Sequence, residues 1–208
     1  MAPEACFDKA IGIASGTPNG TLRSLWDGFH ALRPGRRPKE VRHDPLVGVE
    51  QRLQNLGFEL PSAPRMPQGM VTTFSWVRIL GNRVLVSGHG PQAPDGSPAG
   101  PFGRVPDQVP LEKAQASARL AALSVMSSVR DAVGNLDRVA AWVAVSGFVQ
   151  AEAGYAQTTA VVNAFSEVVI EVFGDEVGQH ARTAIGVAAL PLNLPIVVAA
   201  ELTLHAGP

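Results

Sequence analysis

Arg182 stands nine residues before Pro191, and no ionisable side chain follows it between Thr183 and Ala200. A single guanidinium at the head of an apolar strand pair is suited to hold a carboxylate by two parallel N–H···O bonds, because its fork is planar and permanently charged. An arginine in that place is also a common solvated or structural residue, so further signals are needed. Five histidines, His30, His43, His89, His180 and His205, show no metal-ligand spacing, and the single Cys6 offers no partner set for zinc. His89 directly follows Val86-Ser87-Gly88 and titrates in the range where protons can be moved at neutral pH. Its structural alternative is a neutral imidazole bonded to backbone, and His180 and His205 read as exposed or structural. Ser87 sits in Val-Ser-Gly rather than in the strained Gly-x-Ser-x-Gly turn of a hydrolase nucleophile. Gly88-His89-Gly90 lacks the glycine and lysine pattern of a phosphate loop.

Four segments stand in this order along the chain: Gly81-Asn82-x-x-x-Val86-Ser87-Gly88, Gly147-Phe148-Val149, Val162-Asn163-Ala164 and Arg182-(x)8-Pro191. From about Val47 to His205 this series resembles the RidA/YjgF family of small enamine and imine deaminases. The resemblance implies an α+β, chorismate-mutase-like fold with a mixed β-sheet and two helices on one face. It also implies a homotrimer with clefts between neighbouring subunits, acting on a small carboxylate-bearing metabolite without metal or organic cofactor. Arg182 matches the arginine that would grip the carboxylate of a 2-imino or 2-enamino acid, while Ser87 and Gly88 match the cleft wall. His89 falls where relatives often carry Gln, and Asn163 matches a polar helix position near the subunit boundary.

Two positions depart from that pattern. Phe74 replaces a frequent tyrosine. Val197, fifteen residues after Arg182, replaces the glutamate that helps orient and activate water. Glu201 has the same strand parity as Val197 but lies four residues on, roughly 13 Å along a strand, beyond the reach of a general base at that site. Hydrolytic deamination, with Arg182 and His89 as catalytic candidates, therefore stands beside a non-hydrolytic alternative: a metabolite-binding trimer or specialised enzyme with a greasier pocket. An RNA-directed role, suggested by a ribonuclease label sometimes attached to relatives, is a third expectation.

Composition bounds these readings. With 208 residues, 46% hydrophobic, and a net charge of −1, the chain is expected to form one soluble domain with an appendage. Residues 1–46 read as a flexible Gly/Pro-rich extension with at most a short helix around Leu22–Leu32. Arg33, Arg36, Arg37 and Lys39 help make it basic, yet no aromatic residues interleave for base stacking, so nucleic acid is not the expected partner. The N-terminus, with Glu4 and Asp8, does not read as a signal peptide, and the lone cysteine fits a reducing compartment, so the expected location is cytoplasmic.

The elements that position these residues follow from periodicity. Val49, Leu53 and Leu56 share one side of a short helix ending at Gly57, and Gly81-Asn82 joins strands expected at 72–80 and 83–88. Apolar residues from Leu111 to Val133 recur at three- and four-residue steps, which predicts a long helix stopped by Gly134. Residues 138–149 read as a buried strand, and 155–173 as a second helix ending at Gly174. Thr183 to Ala200 is uncharged and long enough to span a membrane, but Pro191, Asn193 and Pro195 divide it. It is expected to be a final β-hairpin. The many Ala and Gly residues leave one sheet face thinly covered, which predicts an oligomer.

Overall fold

The computed structural model describes residue 44 and residues 47–206. Cys6, His30, His43, the basic arm and the helix expected at 22–32 lie outside the described residues. Elements follow in the order α1 (Val49–Asn55), β1 (Val77–Leu80), β2 (Arg83–His89), α2 (Leu111–Val133), β3 (Val139–Gln150), α3 (Thr158–Gly178), β4 (Ala181–Val187) and β5 (Ile196–Leu204). The five strands form one mixed sheet in the order β1-β2-β5-β3-β4. All pairs are antiparallel except β3 with β4, which are parallel and joined through α3.

Helix α2 has the bounds its periodicity predicts, and its buried stripe includes Ala114, Ala118, Ala122, Val125 and Val129. Gly134 ends it in the left-handed conformation, φ 84°, and its N–H caps the Arg130 carbonyl. Helix α3 runs past the stop expected at Gly174, which is a kink with φ 79° inside the element rather than its end. Trp142 on β3 packs edge-on against Phe165 and Phe173 of α3, ring centroids 6.1 and 5.7 Å apart, and so locks that helix to the sheet. Strand β5 alternates strictly, with Ile196, Val198, Ala200, Leu202 and Leu204 buried. The intervening residues, Val197 and Glu201 among them, occupy the opposite face.

The final hairpin expected from the sequence does not form. Strand β4 pairs only with β3 and β5 pairs with β2 and β3, so β3 lies between the two arms. The physical reason lies in β3, an uncharged twelve-residue strand whose apolar residues suit a centre paired on both sides. The chain crosses the end of β3 through residues 188–195, where Gln150 tethers it. The Gln150 carbonyl Oε1 accepts from Leu190 N–H, its Nε2 donates to Asn193 Oδ1, and its backbone N–H donates to the Pro195 carbonyl at 2.9 Å. The first strand is also shorter than expected, beginning at Val77, because residues 64–76 leave the sheet and run over its end.

Candidate functional site

The candidate residues fall into two groups within one chain. The first borders a cavity of about 290 Å³ at the end of β2 and β5, lined by Phe74, Trp76, Gly88, His89, Leu194 and Val197 among others. Its floor depends on small residues. A Cβ on Gly88 would lie 2.7 Å from a Val197 methyl, and one on Gly90 would lie 2.5 Å from a Leu194 methyl. Phe74 is half exposed and meets Trp76 edge-on at 4.9 Å, and Trp76 in turn meets His89 at 4.9 Å. The aromatic wall is therefore two residues deep. Phe74 was legible in the sequence and Trp76 was missed, although their two-residue spacing places both on one side of an extended segment.

His89 is only 2% exposed. Its Nδ1 lies 2.7 Å from the Ser87 carbonyl, which can only accept, so Nδ1 carries the proton. Nε2 is then the acceptor for the Ser128 hydroxyl at 2.8 Å. Burial lowers the His89 pKa from 6.5. The ring is thus neutral near pH 7 with both nitrogens engaged, an arrangement that favours the structural alternative weighed for it. Ser87 does not face the cavity floor. Its hydroxyl donates to the Ser75 carbonyl at 2.7 Å and its N–H to the Trp76 carbonyl at 2.9 Å, which pins the 64–76 segment over the cavity. Glu201 does not serve the cavity either, because its carboxylate accepts from Arg83 Nε–H at 2.7 Å, a bond that lowers its pKa.

The second group surrounds Arg182, on the helix-facing side of the sheet edge. Its Nη2–H donates to Asn163 Oδ1 at 2.7 Å and its Nη1–H to the Ser166 hydroxyl at 3.1 Å. Ser166 in turn donates to His180 Nε2 at 2.9 Å, since His180 Nδ1–H donates to the Gly178 carbonyl at 2.7 Å. Burial, and then the neighbouring Arg182 charge, lower the His180 pKa, so this imidazole is also neutral. A one-way chain of hydrogen bonds therefore aims the guanidinium. Ser166 and His180 were not selected from the sequence. The signal was present in the three-residue spacing of Asn163 and Ser166 on a helix and the two-residue spacing of His180 and Arg182 at a strand.

Arg182 and Val197 do not meet inside one chain. Arg182 is aligned with Val145 and Val145 with Ala200, so Arg182 lies two strands over from β5 and three residues along from Val197. That separation is about 14 Å between Cα positions. The two side chains also face opposite sides of the sheet. Among the described residues no group of three His, Cys, Asp or Glu side chains is placed to hold a metal ion.

Comparison with known proteins adds three findings, while no family model matches the chain. Protein TCP17 of Trypanosoma cruzi is 36% identical over 158 residues, covering 76% of this chain and 94% of that protein. The crystal structure of Atu1372 from Agrobacterium tumefaciens, of unknown function, is 30% identical, covers 75% of this chain and 91% of its own, and has a TM-score of 0.66. A putative endoribonuclease from Shewanella oneidensis shares the fold at 23% identity and TM-score 0.69, with 76% and 99% covered. This chain belongs to one family with Protein TCP17 and Atu1372, and it has the fold of the Shewanella protein. In this chain Arg182 and Asn163 are in direct contact, whereas Gly88 lines the separate apolar cavity and Ser87 instead holds the 64–76 segment. Among the described residues no helix is long and apolar enough to cross a membrane.

Proposed function

We propose that this protein is a homotrimer that takes small carboxylate-bearing imine or enamine metabolites in clefts between subunits, with Arg182 as the carboxylate anchor. The observation that carries the reading is the pairing of Arg182. Arg65, Arg83, Arg104, Arg119 and Arg130 each face a carboxylate, and Arg52 and Arg138 donate to backbone carbonyls, whereas Arg182 donates to the neutral side chains of Asn163 and Ser166 on one helix. A partly buried, aimed cation without a counter-charge is set up for an anionic ligand. Assembly from several copies is supported by the geometry too. One chain keeps Arg182 and the cavity apart, and it leaves Val143 and Ile185 at 40% and 47% exposure.

The chemistry after binding has two readings. Hydrolysis would add the oxygen of water to the C=N carbon, and the resulting carbinolamine would expel ammonia and leave a 2-oxo acid. Val197 supplies no carboxylate for that water, Glu201 is taken by Arg83, and His89 spends both nitrogens. The geometry therefore favours a site that binds and retains its metabolite. Hydrolysis is the second reading, supported by the motif series that Arg182 and Asn163 belong to.

Subunit complementation tests the shared site. Arg182→Ala and Val197→Trp subunits are each expected to bind no phenoxyacetate, a small stable carboxylate, by calorimetry. When the two are co-assembled, roughly one interface in four regains both intact halves under random mixing in a three-fold ring. A monomer by light scattering, or a mixture that regains nothing while both parents stay trimeric, overturns the intersubunit reading. Ammonia release from 2-aminoacrylate-type intermediates, dependent on Arg182, would favour hydrolysis over retention.

A further inference from the structure

Ser166, His180 and Arg182 border one open concavity at the β4 edge, and the other side chains round it, Val143, Ile170 and Gln179, carry no charge. All three are half-buried, which leaves them open to a solute. The serine hydroxyl joins the other two, and it has one hydrogen to give. With His180 neutral, that hydrogen goes to Nε2 at 2.9 Å, while Oγ accepts from Arg182 Nη1–H at 3.1 Å. A ligand oxygen in the concavity then meets only the remaining lone pair of Oγ, which repels it. Protonation of Nε2 reverses the bond: His180 becomes the donor, Oγ accepts from both neighbours, and the hydroxyl hydrogen turns into the concavity. Nδ1 takes no part in the reversal, because its hydrogen stays on the Gly178 carbonyl at 2.7 Å in either state.

The charges lead to the same result. Facing the imidazole are Ser166 and the Gly178 carbonyl from α3, Trp142 from β3 with ring centroids 6.3 Å apart, and Arg182 from β4, of which Arg182 alone is charged. Without an anion, burial keeps the ring unprotonated near neutral pH, opposed by the bond to Gly178 and reinforced by the Arg182 charge. Only one hydroxyl separates Nε2 from Arg182 Nη1, so an anion on Arg182 offsets that repulsion at close range. We infer that His180 is a proton-gated positioning residue: a carboxylate settling on Arg182 brings a proton onto His180 and turns the Ser166 hydroxyl toward the ligand. The inference rests on the carboxylate reading above and adds its regulation, since the site then holds its metabolite more tightly as pH falls and releases it as pH rises. By linkage, the gain starts where the liganded ring protonates and levels off once the free ring, whose pKa lies below 6.5, is protonated too. A neighbouring opposite charge shifts such a group by about one pH unit or more, which corresponds to about tenfold in affinity.

Phenoxyacetate tests this directly, because carboxyls titrate near about pH 4 and its own charge is constant above about pH 5. Calorimetry on the full-length protein is expected to show it binding about three- to tenfold more tightly at about pH 5.5 than at about pH 7.5. At about pH 6, buffers of low and high ionisation heat should reveal net uptake of a fraction of a proton per site. His180→Gln should bind with one affinity across that range and without uptake. Ser166→Ala keeps a titratable ring but has no hydroxyl to turn, and it should lose most of the gain. Light scattering first shows that each variant keeps the wild-type assembly; should His180→Gln fail there, Ser166→Ala decides. Equal wild-type affinity at both pH values overturns the inference, as does a gain that survives in His180→Gln or stands undiminished in Ser166→Ala. If affinity is independent of pH but falls in Arg182→Ala, the carboxylate-binding reading stands and only the proton gate falls. If phenoxyacetate binds at neither pH, both fall.

Discussion

Replacing Arg182 separates a bidentate anchor from a point charge. The guanidinium has five N–H groups, and Asn163 and Ser166 use one on each terminal nitrogen, which leaves one on each for the two oxygens of a carboxylate. Hydrogen bonds to charged groups contribute about 1.5–3 kcal/mol each. Arg182→Lys keeps a charge but loses the fork and should cost about one such bond, roughly a 10- to 150-fold loss in affinity. Arg182→Ala loses the second bond and the charge as well and should cost more than the lysine variant. Asn163→Ala leaves the cation in place but removes one orienting contact, with an expected cost of about 0.5–1.5 kcal/mol. Calorimetry with phenoxyacetate, on samples first shown by light scattering to keep the wild-type assembly, measures all three. The expected order of loss is Ala, then Lys, then Asn163→Ala. A lysine variant equal to wild type refutes the fork geometry, and an alanine variant equal to wild type makes Arg182 a structural residue.

Three further expectations rest on other parts of the molecule. Val197→Glu should raise ammonia release from 2-aminoacrylate-type substrates if water activation is what the site lacks, although the new half-buried carboxylate risks a raised pKa and several kcal/mol of stability. A folded Val197→Glu trimer with no gain would remove Val197 as the reason for weak hydrolysis. His89 and His180 both have folded pKa values below their ordinary 6.5, so the unfolded chain protonates first as pH falls. Stability should be full above that value and decline below it, by at most about 1.4 kcal/mol per pH unit for each ring. Urea unfolding of His89→Gln between about pH 7.5 and 5.5 should show a shallower decline; an unchanged slope would show that His89 is not protonated on unfolding. Gly147→Ala would place a Cβ 2.7 Å from both Val162 methyl groups, between β3 and α3. Overpacking should cost about 1–3 kcal/mol, largely restored by Val162→Ala in the double mutant. Additive losses in that cycle would place the strain elsewhere.

Local rules account for what the sequence alone determined. The three- and four-residue repeat from Leu111 to Val133 and the glycine after it set α2 at both ends, because a helix buries its own periodic stripe and a left-handed stop needs no distant partner. Gly81-Asn82 likewise set the β1–β2 hairpin, with Gly81 at φ 62°. The family resemblance marked Arg182, Asn163 and Gly88 as matching positions and Val197 as a departure from it. What the tertiary structure decided were the pairings between segments far apart in the chain. Two apolar runs around Pro191 look like a hairpin when only neighbours in sequence are considered, yet β3 offers each a longer uncharged edge and takes the place between them. The same insertion puts Arg182 and Val197 on different strands, levels and faces. His180 was marked in the sequence only by its two-residue spacing from Arg182, and its part in aiming the guanidinium runs through Ser166, fourteen positions earlier, a relation that does not exist until the chain has folded.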